Sequence, residues 1–230
     1  MCARTYVKTQ ASVLAQLFSA TTAGDIPTSY NIAPTDPIPV VRLRPKSGER
    51  ELVTTRWGLV PPWSKDIKGA ARCINARAET VHEKPSFRSA FRKRRCLVVV
   101  DGFFEWRKEG KKRIPFAIHR PDDQPLAFAG LWELWRGGPN VDDSDIRHRS
   151  STIITCAANA DMENLHDRMP VILDDDAQQL WMSDTADEPA LLDLLQPAQA
   201  GSVELFEVDP AVNNVRAEGA QLIQPVQRLL

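Results

Sequence analysis

Long hydrophobic runs are absent from this chain of 230 residues. Although 43% of the residues are hydrophobic, no segment approaches the ~18 consecutive apolar residues of a membrane-spanning helix. The first residues also lack the charged and then apolar pattern of a signal peptide, because Lys8, Gln10 and Gln16 interrupt it. Both absences argue against a membrane partner and predict a cytoplasmic protein.

Cysteine is scarce and irregularly spaced. The four cysteines form no CxxC pair, and no His/Cys spacing suits zinc. We therefore predict neither a metal site nor a cofactor. Cys73, Cys96 and Cys156 stand beside apolar residues, which indicates buried, reduced thiols. Cys2 differs from them because only Met1 precedes it.

The chemistry of Cys2 depends on its position. A methionine before so small a residue is usually removed after synthesis, which would leave Cys2 with a free α-amine beside its thiol. These groups have ordinary pKa values of about 7.7–8.0 and about 8.5, so modest shifts would make both reactive near neutral pH. Such a 1,2-aminothiol condenses with an aldehyde and closes a thiazolidine ring. The alternative is an ordinary residue in a frayed terminus.

Charges of both signs are plentiful but unevenly distributed. The net charge is −1, yet residues 1–120 contain 23 of the 29 Lys and Arg and only 10 of the 30 Asp and Glu. This asymmetry is typical of a protein with a positive face for polyanions. The alternative is that the two halves neutralise each other across their interface, and the sequence does not distinguish the two.

Short strands separated by turns dominate the pattern, and internal repeats are absent. Helices are predicted only at 10–18, with Thr9 as the cap, at 174–183 and at 187–195. The polar stretch 136–150 is interpreted as an exposed loop, too short for an interdomain linker. Strands are predicted at 38–43, 51–57, 96–100, 103–107, 113–118, 126–132, 151–157 and 203–208. The pattern predicts one β-rich α+β domain over residues 1–230, with a folded-over, barrel-like mixed sheet and a few peripheral helices.

The segment 74–79 alternates apolar with polar residues. In an extended chain Asn75, Arg77 and Glu79 would share one face. That row offers an amide, a guanidinium that fits a phosphate, and a carboxylate to orient it. A strand with a merely solvated surface is the alternative.

Glu105 lies in a nearly continuous apolar run, between Phe104 and Trp106. The run predicts a strand buried on both faces, where a carboxylate is costly unless it is paired or protonated. Its burial beside an available nucleophile favours a role in proton transfer. A structural partnership with one of the many arginines is the competing explanation.

His166 is the only histidine whose neighbours suggest a function. In an extended stretch His166 and Arg168 would point the same way, and Pro170 favours extended backbone before it. This would place a proton carrier beside a cation. Of two tryptophans near a stiff turn, Trp57 is expected in the core, and Trp63 is equally consistent with stacking on a base.

These segments together resemble the SOS response-associated peptidase family. The similar motifs run in order along nearly the whole chain: Met1-Cys2 followed by Arg4, YNIAPT (30–35), RWGLVPPW (56–63), NARAET (75–80), RCLVVVDGFFEW (95–106), FAGLW (128–132), LHDRMPVIL (165–173) and VNNVRAEGAQLIQP (212–225). A co-linear set of this length is far more specific than any single motif. The family fold is therefore expected, and we expect a monomer because no heptads or self-complementary strand are visible.

The resemblance implies a protein that binds single-stranded DNA at abasic sites and shields them during the DNA damage response, at the nucleoid if the source is bacterial. It implies a covalent thiazolidine crosslink through Cys2. Proton transfer is implied for Glu105, opening of the sugar ring for His166, and positioning of the N-terminus for Asn75. The positions that match DNA contacts of the family are Arg4, Asn31, Pro34, Trp63, Arg77 and Arg168.

Two other functions stay open at this point. Cys2, His166 and Asn75 form a possible set for a cysteine peptidase or N-terminal-nucleophile amidohydrolase acting on peptides or on its own N-terminus. No segment marks an oxyanion hole or a peptide groove, which weighs against this reading. The third function is non-covalent binding of single-stranded DNA with Cys2 incidental.

Overall fold

The computed structural model of the protein describes residues 2–67, 72–136 and 149–226. In this part of the chain thirteen strands form two sheets, accompanied by four short α-helices. The strands are β1 (Thr5–Val7), β2 (Thr21–Thr22), β3 (Ser29–Ile32), β4 (Pro37–Leu43), β5 (Arg50–Trp57), β6 (Asn75–Arg77), β7 (Arg95–Val100), β8 (Gly102–Glu109), β9 (Lys112–His119), β10 (Leu126–Leu134), β11 (Arg149–Ala157), β12 (Arg168–Pro170) and β13 (Glu204–Glu207). The helices are α1 (Ala11–Leu17), α2 (Arg88–Lys93), α3 (Asp175–Met182) and α4 (Glu188–Asp193).

The larger sheet closes on itself. Its strands follow the order β12, β11, β10, β7, β4, β5 and β2, and β11 also pairs with β5. That last pairing is parallel, with Ser150 opposite Arg56 and Ser151 opposite Trp57, so β11, β10, β7, β4 and β5 form a ring. The other neighbouring pairs in the ring are antiparallel. The predicted barrel-like mixed sheet of an α+β fold is therefore confirmed.

The strands of the ring are apolar because both of their faces are covered. Every residue of β7 is buried, and most of them are β-branched or aliphatic. Trp57 at the end of β5 is fully buried, as expected for a core residue. Its Nε1 donates to the carbonyl oxygen of Ile74 at 2.9 Å, so the ring also anchors the approach to β6.

The smaller sheet has the strand order β13, β9, β8, β1 and β3. Only Asp101 separates β7 from β8, so the chain passes from one sheet to the other at this residue. The Asp101 carboxylate accepts hydrogen bonds from the backbone N–H groups of Lys8 and Thr9 at 2.8 and 2.9 Å. The backbone N–H of Phe104 donates to the carbonyl oxygen of Arg4 at 2.9 Å. These bonds hold the N-terminal strand against the start of β8.

The helix predictions are mostly confirmed. The helices α1, α3 and α4 lie within the predicted ranges. The predicted Thr9 cap is wrong, because the Thr9 hydroxyl donates to Asp101 and α1 follows Gln10 without a side-chain cap. The sequence analysis missed α2, since only Ala90 and Phe91 of this basic helix are buried and its apolar periodicity is weak.

The charge asymmetry along the sequence is partly neutralised in the fold. Lys8 pairs with Asp123 at 2.6 Å, and Arg94 pairs with Glu133 at 2.7 Å. Both pairs join a cation of the first half of the chain to a carboxylate of the second half. The predicted exposed loop at 136–150 lies outside the described residues at 137–148, and the prediction is wrong at Arg149 and Ser150, which begin β11 and of which Ser150 is fully buried. Within those residues, no helix combines the length and apolarity that crossing a bilayer requires.

Candidate active site

A cleft of about 530 Å³ brings together parts of the chain that are far apart in sequence. Its wall combines the N-terminal segment, the β8–β9 hairpin, the turn before β12 and the C-terminal segment. The residues that line it are Ala3, Arg4, Glu105, Trp106, Lys108, Arg113, His166 and Asn213. The fold thus unites the predicted proton carriers Glu105 and His166 beside the predicted N-terminal nucleophile.

Cys2 adjoins this cleft through Ala3 and Arg4, and its own side chain is fully buried. Burial raises the pKa of the Cys2 thiol well above its ordinary value, and the negative charge of Glu105 raises it further. A hydrogen bond from the backbone N–H of Arg4 acts in the opposite direction. At neutral pH the sulfur is therefore a thiol, and a nucleophilic step by it requires a proton acceptor.

Asn75 fixes the main chain of Cys2. It begins β6, which pairs in parallel with β11 and places Asn75 opposite Ile153. Its Nδ2 donates to the Cys2 carbonyl oxygen at 2.7 Å. Its Oδ1 is buried and accepts no hydrogen bond from any residue that the structure describes, an arrangement that is costly for an amide. The Asn75 side chain therefore donates through Nδ2 to the Cys2 main chain, while its Oδ1 remains available to accept a hydrogen bond.

Glu105 is 4% exposed, which confirms the burial expected from its apolar strand. It lies in β8 opposite Phe116 of β9. The neighbouring bond from the Phe104 N–H to the Arg4 carbonyl oxygen sets this part of β8 against the N-terminal segment. Its negative charge raises the pKa of the Cys2 thiol. A buried carboxylate thus stands beside a buried sulfur.

His166 lies in the turn that leads into β12. The backbone nitrogen of Arg168 lies 3.0 Å from His166 Nδ1. A carboxylate oxygen of Asp167 lies 2.8 Å from the same Nδ1. Because β12 begins only at Arg168, the predicted extended alignment of the two side chains is wrong, and the turn instead sets the ring against the cleft.

Arg4 and Asn31 hold the C-terminal segment in place. Arg4 Nη1 donates to Asn31 Oδ1 and to the Val212 carbonyl oxygen, both at 2.7 Å. Asn31 Nδ2 donates to the carbonyl oxygens of Asn214 and Ala217 at 3.0 and 2.8 Å. Both side chains are buried. Their visible role is to support the cleft wall, and their contact with DNA stays a prediction.

Arg77 and Arg168 lie at one end of β11, in the strands on either side of it. Both Nη atoms of Arg168 donate to the Glu79 carboxylate, Nη2 at 2.9 Å, and Nη2 also donates to the Thr155 carbonyl oxygen at 2.5 Å. The hydrogen bond from Arg168 holds the pKa of Glu79 below its ordinary value. Glu79 lies in the 3-10 turn Ala78–Thr80. The predicted polar row is therefore wrong at Glu79, because the strand ends at Arg77.

Of the residues predicted to contact DNA, only Arg4 lines this cleft, and Trp63 and Pro34 are among those that do not. Trp63 is 65% exposed, and stacking of a base on it stays a prediction. Pro34 is partly buried in a turn that follows β3, where the Asp36 N–H donates to the Ala33 carbonyl oxygen at 3.1 Å. Neither side chain belongs to the wall of the 530 Å³ cleft.

Trp106 is a cleft residue that the sequence analysis did not single out. The Arg4 guanidinium lies 5.7 Å from its ring centroid, and its Nε1 donates to Asn213 Oδ1 at 2.6 Å. The only sequence feature that pointed to Trp106 was its position directly after Glu105. This feature does not predict a cleft residue, because successive residues of a strand point to opposite faces of the sheet. Only the folded structure shows that both residues line one cleft.

A larger cavity, about 1370 Å³, lies near the start of β11, where Arg149 contributes to its lining. The strand runs from there to Ala157, which is paired with Arg168, so the two ends are roughly 26 Å apart at ~3.3 Å per residue. None of the predicted catalytic residues lines this cavity. Among the described residues, no group of three or more His, Cys, Asp or Glu is arranged to hold a metal ion.

The fold and the cleft define a class of β-rich proteins with a closed mixed sheet and a cysteine segment held beside a buried carboxylate and a histidine. The chain belongs to the SOS response associated peptidase (SRAP) family, whose sequence profile matches residues 1–215. The abasic site processing protein YoqW of Bacillus subtilis is 40% identical over 203 residues, covering 87% of this chain and 88% of that protein. The abasic site processing protein YedK of Escherichia coli is 32% identical over 199 residues, covering 86% and 84%.

Solved structures show the same architecture. A protein from Bacteroides thetaiotaomicron superposes with a TM-score of 0.84 at 24% identity, covering 98% of this chain and 100% of that one. A protein from Bordetella bronchiseptica superposes with a TM-score of 0.75 at 29% identity, covering 90% and 100%. These similarities support the fold, whereas the relatives above also bear on function.

Proposed function

We propose that this protein processes abasic sites in single-stranded DNA by capturing them covalently. Loss of Met1 exposes the Cys2 α-amine, and Cys2 forms a thiazolidine with the open-chain aldehyde of the abasic sugar. The observation that carries the proposal is the bond of 2.7 Å from Asn75 Nδ2 to the Cys2 carbonyl oxygen, beside a cleft lined by Glu105 and His166. The names of the relatives YoqW and YedK support the choice of substrate.

Asn75 has the right groups to orient a new N-terminus. Its Nδ2 already holds the Cys2 carbonyl, and its buried Oδ1 accepts no hydrogen bond from the described residues. The α-amine of a mature Cys2 would supply the missing donor. One side chain would then grip both ends of the Cys2 main chain and direct the amine lone pair toward the cleft.

The reaction balances with the loss of one water molecule. The Cys2 nitrogen attacks the aldehyde carbon and gives a carbinolamine, whose hydroxyl leaves as water to form a Schiff base. The Cys2 sulfur then adds to the same carbon, and the thiol proton passes to the nitrogen. Because the thiol pKa is raised, ring closure needs a group that accepts the thiol proton. Ring closure diverts the Schiff base from β-elimination, a lyase reaction that would cleave the strand.

Glu105 and His166 would divide the proton transfers. Glu105, whose charge acts on the Cys2 thiol, would accept a proton from the attacking amine or the thiol and return it to the departing hydroxyl. The imidazolium form of His166 would give a proton to the ring oxygen of the closed sugar while the anomeric hydroxyl gives its proton to water, which releases the aldehyde. The same transfers run in reverse when the crosslink opens.

The hydrogen bonds favour capture over a peptidase of the Cys-His-Asn type. In such a triad the asparagine orients the histidine. Here Asn75 donates to the Cys2 carbonyl oxygen, and a backbone N–H fills His166 Nδ1. Asn75 therefore orients the cysteine, which suits a nucleophilic amine. Self-cleavage after Met1 would still be compatible with this arrangement.

DNA contact is assigned to the arginines beside the cleft. Arg77 is exposed at the end of β6, and Arg168 lies across β11 from it. A phosphate binds a guanidinium through paired hydrogen bonds, so DNA would compete with the Glu79 carboxylate for Arg168. Arg4 would act from the cleft lining, where Asn31 holds it by a hydrogen bond, and Pro34 would contact the DNA outside that lining. Trp63 would stack on a more distant base.

Capture can be tested by intact mass spectrometry. Protein is mixed with a single-stranded oligonucleotide that carries one abasic site, then denatured without reductant. We expect a protein–DNA adduct lighter by one water than the sum of its parts. The Cys2→Ala variant should form none, because it lacks the ring-closing sulfur, and methoxyamine should abolish it by capping the aldehyde. Cys73→Ala is the matched control and should react like the wild type.

The other outcomes of this experiment would contradict the proposal. Retention of Met1 in the purified protein would remove the reactive amine. Peptide hydrolysis without an adduct would identify a peptidase. Salt-sensitive binding of the oligonucleotide that yields no adduct and is indifferent to Cys2→Ala would identify a non-covalent DNA-binding protein.

A further inference from the structure

The β8–β9 hairpin extends the cleft wall away from Glu105. Trp106 and Lys108 are two residues apart in β8, so they share one face of the sheet. Arg113 of β9 lies directly opposite Lys108. All three side chains line the cleft, and we call them the hairpin strip.

The two cations of the strip lie directly opposite each other, and no carboxylate among the described residues pairs with either of them. Like charges at directly opposed positions destabilise an antiparallel pair. Neither Lys108 nor Arg113 has an ion pair or a side-chain hydrogen bond with residues 2–67, 72–136 or 149–226. Glu109, the nearest acidic residue in sequence, instead accepts from Arg107 at 2.9 Å. An anion entering the cleft would relieve this repulsion.

We propose that the hairpin strip binds the phosphodiester backbone on one side of the abasic nucleotide. The inference rests on the proposed function, since it concerns the strand that holds the captured sugar. Lys108 lies ~10 Å from Glu105 along the strand, so its partner is a neighbouring phosphate and not the reacting sugar. Trp106 is held by Arg4 and Asn213, and a rigid aromatic ring beside paired cations is typical of single-strand binding grooves.

The DNA on the other side of the abasic nucleotide would meet a different set of cations. Arg77 and Arg168 belong to strands of the larger sheet, whereas the strip belongs to the smaller one. Cys2 is bonded to Asn75 of the larger sheet and followed by Arg4, which is bonded to the smaller sheet. The reactive residue therefore stands between the two sets of cations. Removal of the strip should weaken only one arm of the DNA.

The first test compares two double variants of the same hairpin. Lys108→Ala/Arg113→Ala removes the cations of the strip, and Lys111→Ala/Lys112→Ala removes the same charge from exposed residues outside the cleft lining. Binding of an undamaged single strand is measured by fluorescence anisotropy over a range of salt concentrations. We expect the strip variant to bind more weakly, with a salt slope smaller by about 1.4, because each phosphate contact contributes about 0.7. Equal slopes in the two variants would overturn the proposal.

The second test asks whether the strip variant is impaired on only one side, 5′ or 3′, of the abasic site. Two oligonucleotides carry the abasic site at one end, so that the strand extends only on its 5′ side or only on its 3′ side. At low protein concentration the strip variant should capture one of them more slowly than the wild type and the other at the wild-type rate. Slower capture of both, or of neither, would overturn the proposal.

A short substrate separates this inference from the proposed function. With a single normal nucleotide on each side of the abasic site, strip variant and wild type should capture at equal rates at saturation. A slower variant would show that the strip acts on the chemistry and would overturn the inference. If the wild type captures no substrate at all, the proposed function fails, whereas the salt slopes on undamaged DNA still decide the role of the strip.

Discussion

Glu105 acts on Cys2 in two ways that have opposite effects on reactivity. Its charge raises the pKa of the Cys2 thiol, which reduces the fraction of thiolate at a given pH. In the proposed mechanism its carboxylate also carries the protons that the amine and the thiol release. We expect proton transfer to dominate the rate, because general acid–base catalysis typically contributes about 10²–10⁴-fold.

The variant Glu105→Gln separates the two effects. Loss of the negative charge should let the Cys2 thiolate form at lower pH, whereas capture of an abasic oligonucleotide should slow by roughly 10²-fold. The thiolate is followed by its ultraviolet absorbance as the difference from Cys2→Ala, and capture by intact mass. DNA binding should not change.

Faster capture by Glu105→Gln would contradict the assigned role. It would show that the carboxylate only suppresses the thiol and carries no proton in the limiting step. Glu109→Gln removes a carboxylate from the exposed end of the same strand. This control should leave both the titration of Cys2 and the rate of capture unchanged.

The helix α3 owes its start to one side chain. Asp174 Oδ1 accepts from the Ala177 N–H at 2.8 Å, which satisfies one of the N–H groups left open at a helix N-terminus. The helix in turn packs on the ring, where Trp181 Nε1 donates to the Cys96 carbonyl oxygen at 3.0 Å. The cap is therefore linked to the closed sheet through one short helix.

Asp174→Ala should lower the free energy of unfolding by about 1 kcal/mol. The matched control Asp176→Ala removes the same charge from the first turn, and Asp176 makes no capping bond among the described residues. Its effect should be limited to the helix dipole, about 0.3 kcal/mol. Denaturant unfolding of both variants measures the difference. Equal losses would show that the cap bond adds nothing beyond charge.

The passage between the two sheets is closely packed at Gly102. A Cβ on Gly102 would lie 2.3 Å from the Tyr6 hydroxyl oxygen and 2.5 Å from the Ile118 carbonyl oxygen. The second contact is with backbone, which has little room to move in a paired strand. Because β1 leads directly from Cys2, this close approach of β1 and β8 also positions the reactive residue.

Gly102→Ala should therefore affect both stability and capture. We expect a loss of roughly 3 kcal/mol, at the upper end for overpacking, and slower capture in the fraction that stays folded. Gly110→Ala, at the other end of β8, meets no atom within 4 Å but has a φ of +59°. This control should lose about 1 kcal/mol and capture at the wild-type rate. Wild-type capture by folded Gly102→Ala would show that the sheet junction does not position Cys2.

Local pattern was sufficient for the features that depend on neighbouring residues. The apolar run through β7 and β8 predicted two buried strands and a buried Glu105, because alternation and hydrophobicity are properties of adjacent residues. The acidic stretch before α3 predicted its N-terminus for the same reason. The resemblance of the ordered motifs to one family predicted the fold that the family profile and the solved structures support.

Short segments without their own periodicity could not be predicted from the local sequence pattern. The three residues of β1 and the three of β12 are too few to show alternation, and they become strands only because β8 and β11 supply their hydrogen bonds. Glu79 lies outside the predicted polar row because the pairing of β6 with β11 ends at Arg77 and the chain then enters a 3-10 turn. These outcomes depend on partners distant in sequence.

Composition and order of residues were enough to predict a β-rich chain and to single out the cysteine at position 2. Only long-range pairing decided that the sheet closes through β5 and β11 and that Arg4 and Asn31 bind the C-terminal segment. The physical reason is that the pattern of hydrophobic residues is a property of the sequence itself. The register between distant strands, in contrast, is set only when the core is assembled. The cleft is made by that register.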